Sequence, residues 1–336
     1  MREAKQLLIA SKTYAREFRW RSWWHLWSTL GAFVGLITLA SVDILLPLRV
    51  LASIFAGLML VRMFILYHDY QHHAILDHSP VAALVMYLYG ILAINPPSIW
   101  NRSHDHHHKH NSQILGTGIG SFPLMTTDAY AKATTWQRFL YAFSRNPITI
   151  ACGYLTVFLY GMCLKPLLAS PKKHFDCAVA LVLHAGLVLW LATTAPVALV
   201  LAVIIPFSIG SGIGAYLFYA QHNYPAVKLR ERSEWSHVFA ALESSSYIKM
   251  SPWMHWFTGN IGYHHVHHLN ARIPFYRLPE AMAGIQELQS PGTTSLSFRD
   301  IISCLRLKLW DPEQGRLVAF GEAEVALPVK VERRAA

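Results

Sequence analysis

The sequence predicts an all-α integral membrane protein with about four transmembrane helices, further helices lying in the membrane interface, and a cytosolic helical cap. Three observations carry this. Hydrophobic residues make up 53% of the 336 residues and Asp, Glu, Lys and Arg only 14%, against roughly 25% charged in an ordinary soluble domain. Mean hydropathy is positive, at +0.28, which excludes a disordered chain. Twelve of the 19 histidines fall within segments 68–73, 104–110 and 264–268, where about one is expected by chance. The four cysteines, Cys152, Cys163, Cys177 and Cys304, include no CxxC pair, so neither a disulfide framework nor a thiolate metal knuckle is supported.

Residues 1–22 form a cytosolic N-terminal segment carrying Lys5, Lys12, Arg16, Arg19 and Arg21. Trp20, Trp23, Trp24 and Trp27 stand where a membrane interface would hold them. No short apolar stretch ends in a small-residue cleavage site, which argues against a signal peptide. Residues 26–42 are apolar enough for a first crossing. Residues 45–67 give a second, roughly 35 Å of helix, with Arg49 and Arg62 near its ends and able to snorkel. Residues 81–94 are shorter and run into Asn95-Pro96-Pro97, which suits a re-entrant or interfacial helix.

A polar stretch follows the second histidine segment. Its Gly116, Gly118 and Gly120 spell GxGxG without a preceding strand or a following helix, so a flexible loop is expected rather than a phosphate loop. Three apolar runs come next, at 148–168, 177–191 and 197–219. If the histidines at 104 and 264 are to meet, an even number of crossings separates them, and one run does not span. Reading 148–168 as interfacial keeps Lys165, Lys172 and Lys173 inside and leaves Asp43 and Arg49 as the only charges on external loops, as the positive-inside rule prefers. The expected spans are therefore 26–42, 45–67, 177–191 and 197–219, within an embedded domain of residues 23–290 with both termini cytosolic. Residues 278–288 are helix-compatible. Residues 291–336 form a cytosolic tail, polar beyond Pro328.

The histidines carry the chemistry. On a helix continuing from the second span, His68 and His72 share a face; His104, His107 and His108 do so at i, i+3 and i+4, and His264, His267 and His268 repeat that spacing. His222 follows the last span and makes nine. Nine neutral imidazoles exceed the four ligands of one tetrahedral zinc but suit two metals with open positions. Spacing alone does not name the metal, since imidazole suits iron, zinc, copper and nickel. His73, His106, His110 and His265 fall off the ligand faces, either packing around the ligands or solvated. Asp69 and Asp105 suit either orienting a histidine of another cluster through its second N–H or plain solvation. Gln221 and Asn260 suit either a water-mediated contact to the centre or loop hydrogen bonding. His184, in mid-span, reads as a packed, hydrogen-bonded histidine; His25, His78, His174, His237 and His255 have no partner pattern.

These segments, HDxxH, HxxHH and a distal HxxHH with spans between, resemble the histidine boxes of the membrane fatty acid desaturases. The stretches 218–223 (FYAQHN), 243–247 (ESSSY) and 258–268 (TGNIGYHHVHH) are similar to those of bacterial and cyanobacterial acyl-lipid desaturases, and the likeness runs from about residue 67 to residue 278. The resemblance implies a centre of two non-haem irons that uses O2 and two electrons to set a double bond in an acyl chain of a membrane lipid, with His68, His72, His104, His107, His108, His222, His264, His267 and His268 as ligands. Gln71 stands where the first box usually has glycine, and Asp105 where a basic residue is common. Trp100, Trp253, Trp256 and Phe257 would line an acyl channel or anchor the interface.

No dinucleotide fingerprint, haem-attachment motif or iron–sulfur spacing occurs, so an external electron donor, a ferredoxin or a haem-bearing carrier, is implied. The net charge of +10 suits an acidic carrier or anionic lipid; the basic residues flank spans and form no recognition motif, which argues against nucleic acid. Two alternatives stand beside this reading. One is a related di-iron hydroxylase or ketolase acting on a lipid or carotenoid. The other is a membrane metal-handling protein, against which the spans carry no Asp or Glu in their apolar centres.

Overall fold

The computed structural model describes residues 3–114 and 120–326; Gly116, Gly118 and the tail after Pro328 lie outside them. The helices are α1 (Ala4–Ser11), α2 (Arg19–Ser41), α3 (Leu46–Gln71), α4 (Pro80–Leu92), α5 (Pro97–His110), α6 (Thr127–Lys132), α7 (Thr135–Ser144), α8 (Pro147–Ala151), α9 (Tyr154–Ala169), α10 (Phe175–Thr194) and α11 (Pro196–Ala220), then the shorter α12 (His237–Glu243), α13 (Pro252–Phe257), α14 (His264–Leu269), α15 (Leu278–Gly284), α16 (Phe298–Arg306) and α17 (Phe320–Ala326). The cap is not wholly helical. Strand β1 (Tyr247–Lys249) pairs in parallel with β2 (Thr293–Ser295), Ile248 opposite Thr294, and β3 (Leu309–Asp311) pairs antiparallel with β4 (Arg316–Val318).

Among the described residues three helices are long and apolar enough to cross a membrane: α3, α10 and α11. They cover three of the four expected spans. The fourth, at 26–42, lies in α2, which has 23 residues but includes Arg21, His25, Ser28 and Thr29 and is not among them. Proline and capping chemistry mark the boundaries. Ser79 caps α4 by accepting from the Ala82 N–H, with Pro80 in the first turn. Pro96 and Pro97 then break the chain, and α5 leaves at 93° to α4, the bend that a re-entrant segment needs.

Helices α3 and α11 approach closely through glycine. A Cβ on Gly57 would lie 2.8 Å from Ile209 Cβ, and one on Gly210 would lie 3.1 Å from the Gly57 carbonyl oxygen, the small-residue contact common between membrane helices. Helix α2 packs along α3 and is tied to it by two arginines. Arg49 donates to the Ala40 carbonyl (3.1 Å), and Arg62 donates to Thr29 Oγ1 (3.2 Å) and the Trp256 carbonyl and lies 3.0 Å from His25 Nδ1. Both are buried. Both guanidiniums are paired within the protein, Arg49 also reaching Asp43 Oδ1 at 3.4 Å. The main core runs from Leu26 and Leu66 through Tyr67 and Trp100 to Val266, Leu269 and Trp310, so the cap is continuous with the helices beneath it.

Candidate metal centre

Each histidine cluster sits on a helix. Helix α3 stops at His72 and carries His68 in its last turn; α5 carries His104, His107 and His108; α14 carries His264, His267 and His268, with every residue from His264 to Leu269 buried. His222 lies just past the end of α11. The structure brings all nine together in two groups. His68, His72, His104, His108 and His267 form one, and His107, His222, His264 and His268 the other; within each, one ring nitrogen per residue lies within 4.8 Å of the rest.

The nitrogens that converge are largely Nε2. His104 Nε2 is 2.8 Å from His72 Nε2 and 3.1 Å from His108 Nε2, which is 3.1 Å from His267 Nε2. In the second group His264 Nε2 is 2.9 Å from His222 Nε2 and 3.0 Å from His268 Nε2, which is 3.2 Å from His107 Nε2. The rings of His108 and His268 stack at 4.4 Å, so the groups adjoin. Burial, and after it the neighbouring imidazoles, holds His264, His267 and His268 well below the usual histidine range, and burial brings His222 to about 4. Neutral rings present lone pairs, the form a metal requires. Facing lone pairs repel unless a proton or cation lies between them. Nitrogens at right angles about a metal ion, each about 2.1 Å from it, would lie about 3 Å apart. The donor set therefore fits a pair of metal ions.

Other groups orient these rings. The His222 Nδ1–H donates to the Ser244 carbonyl (3.0 Å), which leaves the Nε2 lone pair free, and His107 Nδ1 lies 2.8 Å from Ser121 Oγ. One role expected of Asp69 was to serve a histidine of another cluster. It instead meets its own neighbour, His68 Nδ1, at 3.0 Å while its second oxygen accepts the Phe275 N–H at 2.7 Å. Asp105 is exposed and, among the described residues, bonds no histidine. His73, in a left-handed turn (φ 56°), points out to Asp77 (2.9 Å). His106 stacks on His110 at 4.0 Å. His265 is fully buried but donates to the Leu288 carbonyl (3.1 Å). The side-chain amides of Gln221 and Asn260 donate to the Ile261 and Phe275 carbonyls (both 3.1 Å), bracing loops rather than facing the centre.

Three features carry no sequence signal. His237, which has no partner pattern, donates to the Leu269 carbonyl at the end of α14 (3.1 Å). His174, Asp176 and Cys177 gather around Ser98 at the start of α5. A small apolar cleft, lined by Leu60, Val61, Phe64, Tyr89, Phe158 and Phe207 among others, lies between α3 and α11 near the first group. Phe64 sets its edge on Trp100 (5.0 Å), and Trp100 stacks on His104 (4.4 Å), so one aromatic layer separates cleft and imidazoles. His184 is hydrogen-bonded to the Tyr154 hydroxyl behind Phe207. Trp253 and Trp256 are exposed, as interface anchors are.

The family model described as fatty acid desaturase matches residues 44–297. The fatty acid desaturase of Bacillus subtilis (strain 168) is 31% identical over 329 residues, 94% of this chain and 90% of that protein. The sn-1 oleoyl-lipid 12-desaturase of Anabaena variabilis is 26% identical over 72% of this chain and 69% of its own length. A chloroplastic omega-6 fatty acid desaturase of Spinacia oleracea is 24% identical over 86% of this chain and 65% of its own length.

Proposed function

Since the chain belongs to the fatty acid desaturase family, oxidoreductases that introduce double bonds into fatty acids, we propose that its substrate is an acyl chain esterified to a membrane lipid and that its nine clustered histidines hold two iron ions. The observation that carries this is the first imidazole group, set one aromatic layer, Phe64 and Trp100, away from an apolar cleft between α3 and α11. Bound iron would supply the reduction of O2: one dioxygen, two electrons and two protons convert –CH2–CH2– to –CH=CH– and two waters.

The chain's own residues do the rest. Leu60, Val61 and Phe64 exclude water along the acyl chain, and Trp100 braces His104 from the membrane side. Ser244 and Asp69 hold the rings of His222 and His68 by their second nitrogens, so each presents one orientation to the centre. Electrons come from an external donor, a ferredoxin or a haem-bearing carrier. We place both termini and all the histidine clusters on the cytosolic side, with α2 as the remaining crossing, residues 23–290 as the embedded unit and the segments on either side of it as cytosolic.

The test is the fatty acid profile, by gas chromatography and mass spectrometry, of a host that supplies an electron donor, expressing this chain or its His267→Ala variant at equal membrane levels. A new unsaturated acid with the parent chain alone is the expected result. Full activity in His267→Ala would remove His267 from the ligand set, and a hydroxylated or keto product would replace the desaturase reading.

A further inference from the structure

A second, small cavity adjoins the other group of imidazoles, with His222 in its wall. Its wall includes His222, Ser121, Gln113, Asn223, Leu124 and Arg145, with Phe122 and Phe218 beside them. Arg145 is 2% exposed. Its guanidinium donates to the Pro123 carbonyl (2.8 Å), the Tyr219 hydroxyl (3.1 Å), the Leu307 carbonyl (3.4 Å) and Asn223 Oδ1, and its Nε has no partner. All of these acceptors are neutral. Lys308, 8% exposed, donates to the Arg145 carbonyl and lies over the Tyr219 ring. Among the described residues no carboxylate lies within 4 Å of either cation. Burial pushes the Tyr141 phenol up, so it supplies no charge. Buried charges are ordinarily paired, because an unpaired one costs several kcal/mol in lost hydration; two adjacent cations without a counter-charge call for an anion.

The two cavities lie on one track. Gly210 and Gly214 line the apolar cleft and Phe218 lines the second cavity; spaced by four, they share one face of α11, and Gly210 to Phe218 spans about 12 Å. Near the same end Trp136, Phe139, Phe143 and Ile148, on α7 and α8 to either side of Arg145, are exposed, the pattern of a helix lying in a membrane interface.

We propose that this second cavity, at the buried Arg145, is a binding site for a phosphate oxyanion, that of the head group of the lipid whose acyl chain occupies the cleft. This rests on the acyl-lipid reading above, and it adds a recognition element to it: Arg145 and Lys308 select the phosphate-bearing end and set how far the chain reaches past the centre.

Arg145→Ala removes a structural staple as well as a charge, so the test uses the cavity wall. Leu124→Glu places a carboxylate there, and Leu124→Gln is its neutral match. Purified full-length protein in detergent is titrated calorimetrically with dihexanoyl phosphatidylglycerol, with dihexanoylglycerol, which lacks the phosphate, and with coenzyme A. The phosphate-bearing lipid should bind about tenfold tighter than the headless one; Leu124→Glu and Lys308→Gln should erase most of that preference, and Leu124→Gln should keep it. Equal affinity for both glycerides, or an undiminished preference in Leu124→Glu, would overturn the site. Coenzyme A binding more tightly than the phospholipid would keep the oxyanion site and overturn its assignment to a lipid head. Binding is read without turnover, so a missing desaturated product would count against the reaction and leave this result standing.

Discussion

Removing the Asp176 carboxylate is expected to loosen the start of α5, the helix that presents His104, His107 and His108. The N-cap of α5 is Pro96, whose side chain accepts nothing, so the first-turn N–H groups need a partner from elsewhere. Asp176, at the start of α10, supplies it. One oxygen accepts the Ser98 N–H at 2.9 Å and the other the Ser98 hydroxyl at 2.5 Å; the same hydroxyl lies 2.9 Å from His174 Nδ1. Because the single Ser98 O–H is donated to the carboxylate, the His174 contact is an N–H donated to Ser98 Oγ. A lost cap costs about 1 kcal/mol and hydrogen bonds to a charged group about 1.5–3 kcal/mol, not additively. Asp176→Ala should therefore cost about 2–3 kcal/mol, with Asp176→Asn, which keeps an acceptor, costing about half of that. The assay is the apparent melting temperature in detergent together with iron content per chain by atomic absorption. Both should fall in the order parent, Asn, Ala. An Ala variant with the parent's melting temperature and iron content would refute a role for Asp176 in placing the second cluster.

Three further outcomes follow from the same structure. Asp69→Asn should lower metal affinity about 10–100-fold by releasing His68 and weakening the Phe275 contact, measured as the chelator concentration that strips half the iron; an unchanged value would separate Asp69 from the centre. Chelation of the parent should lower its melting temperature, because ligand binding to the folded state stabilises it and its removal leaves the facing imidazole lone pairs uncompensated; no shift would mean that the two groups hold no metal. Burial takes Lys308 from 10.5 to about 8, so between those values the unfolded chain binds more protons than the folded one and stability rises with pH. Lys308→Met should accordingly raise the melting temperature at pH 7, with the gain shrinking toward pH 10. A constant gain across that range would show that burial of the charge is not what Lys308 costs the fold.

The helical clusters were legible because helix periodicity is local: i, i+3 and i+4 spacing at 104–108 and 264–268 already places three rings on one face. The long apolar runs of α3, α10 and α11 were legible because crossing a bilayer is a matter of length and composition. Helix α2 was less so, since its tryptophans, His25 and Arg21 dilute its apolar half. Reaching across clusters was one role open to Asp69, but the rigid end of α3 puts its carboxylate beside His68 and the Phe275 N–H, which are the nearest donors. Asp176 carried no signal at all, because a cap supplied from another helix leaves no pattern in the segment that it caps.

The sequence by itself determined that this chain belongs in a membrane, that it bends at Asn95-Pro96-Pro97, and that eight histidines fall in three helical-face clusters, with His222 beyond the last span. These follow from hydropathy, proline geometry and helix periodicity, each acting over a few residues. Only the tertiary structure decided how the nine divide into five and four, which carbonyl or carboxylate turns individual rings, and that two small cavities lie beside them along α11. Those depend on contacts between residues tens to hundreds of positions apart, and a buried arginine without a counter-charge becomes visible only when everything around it is in place.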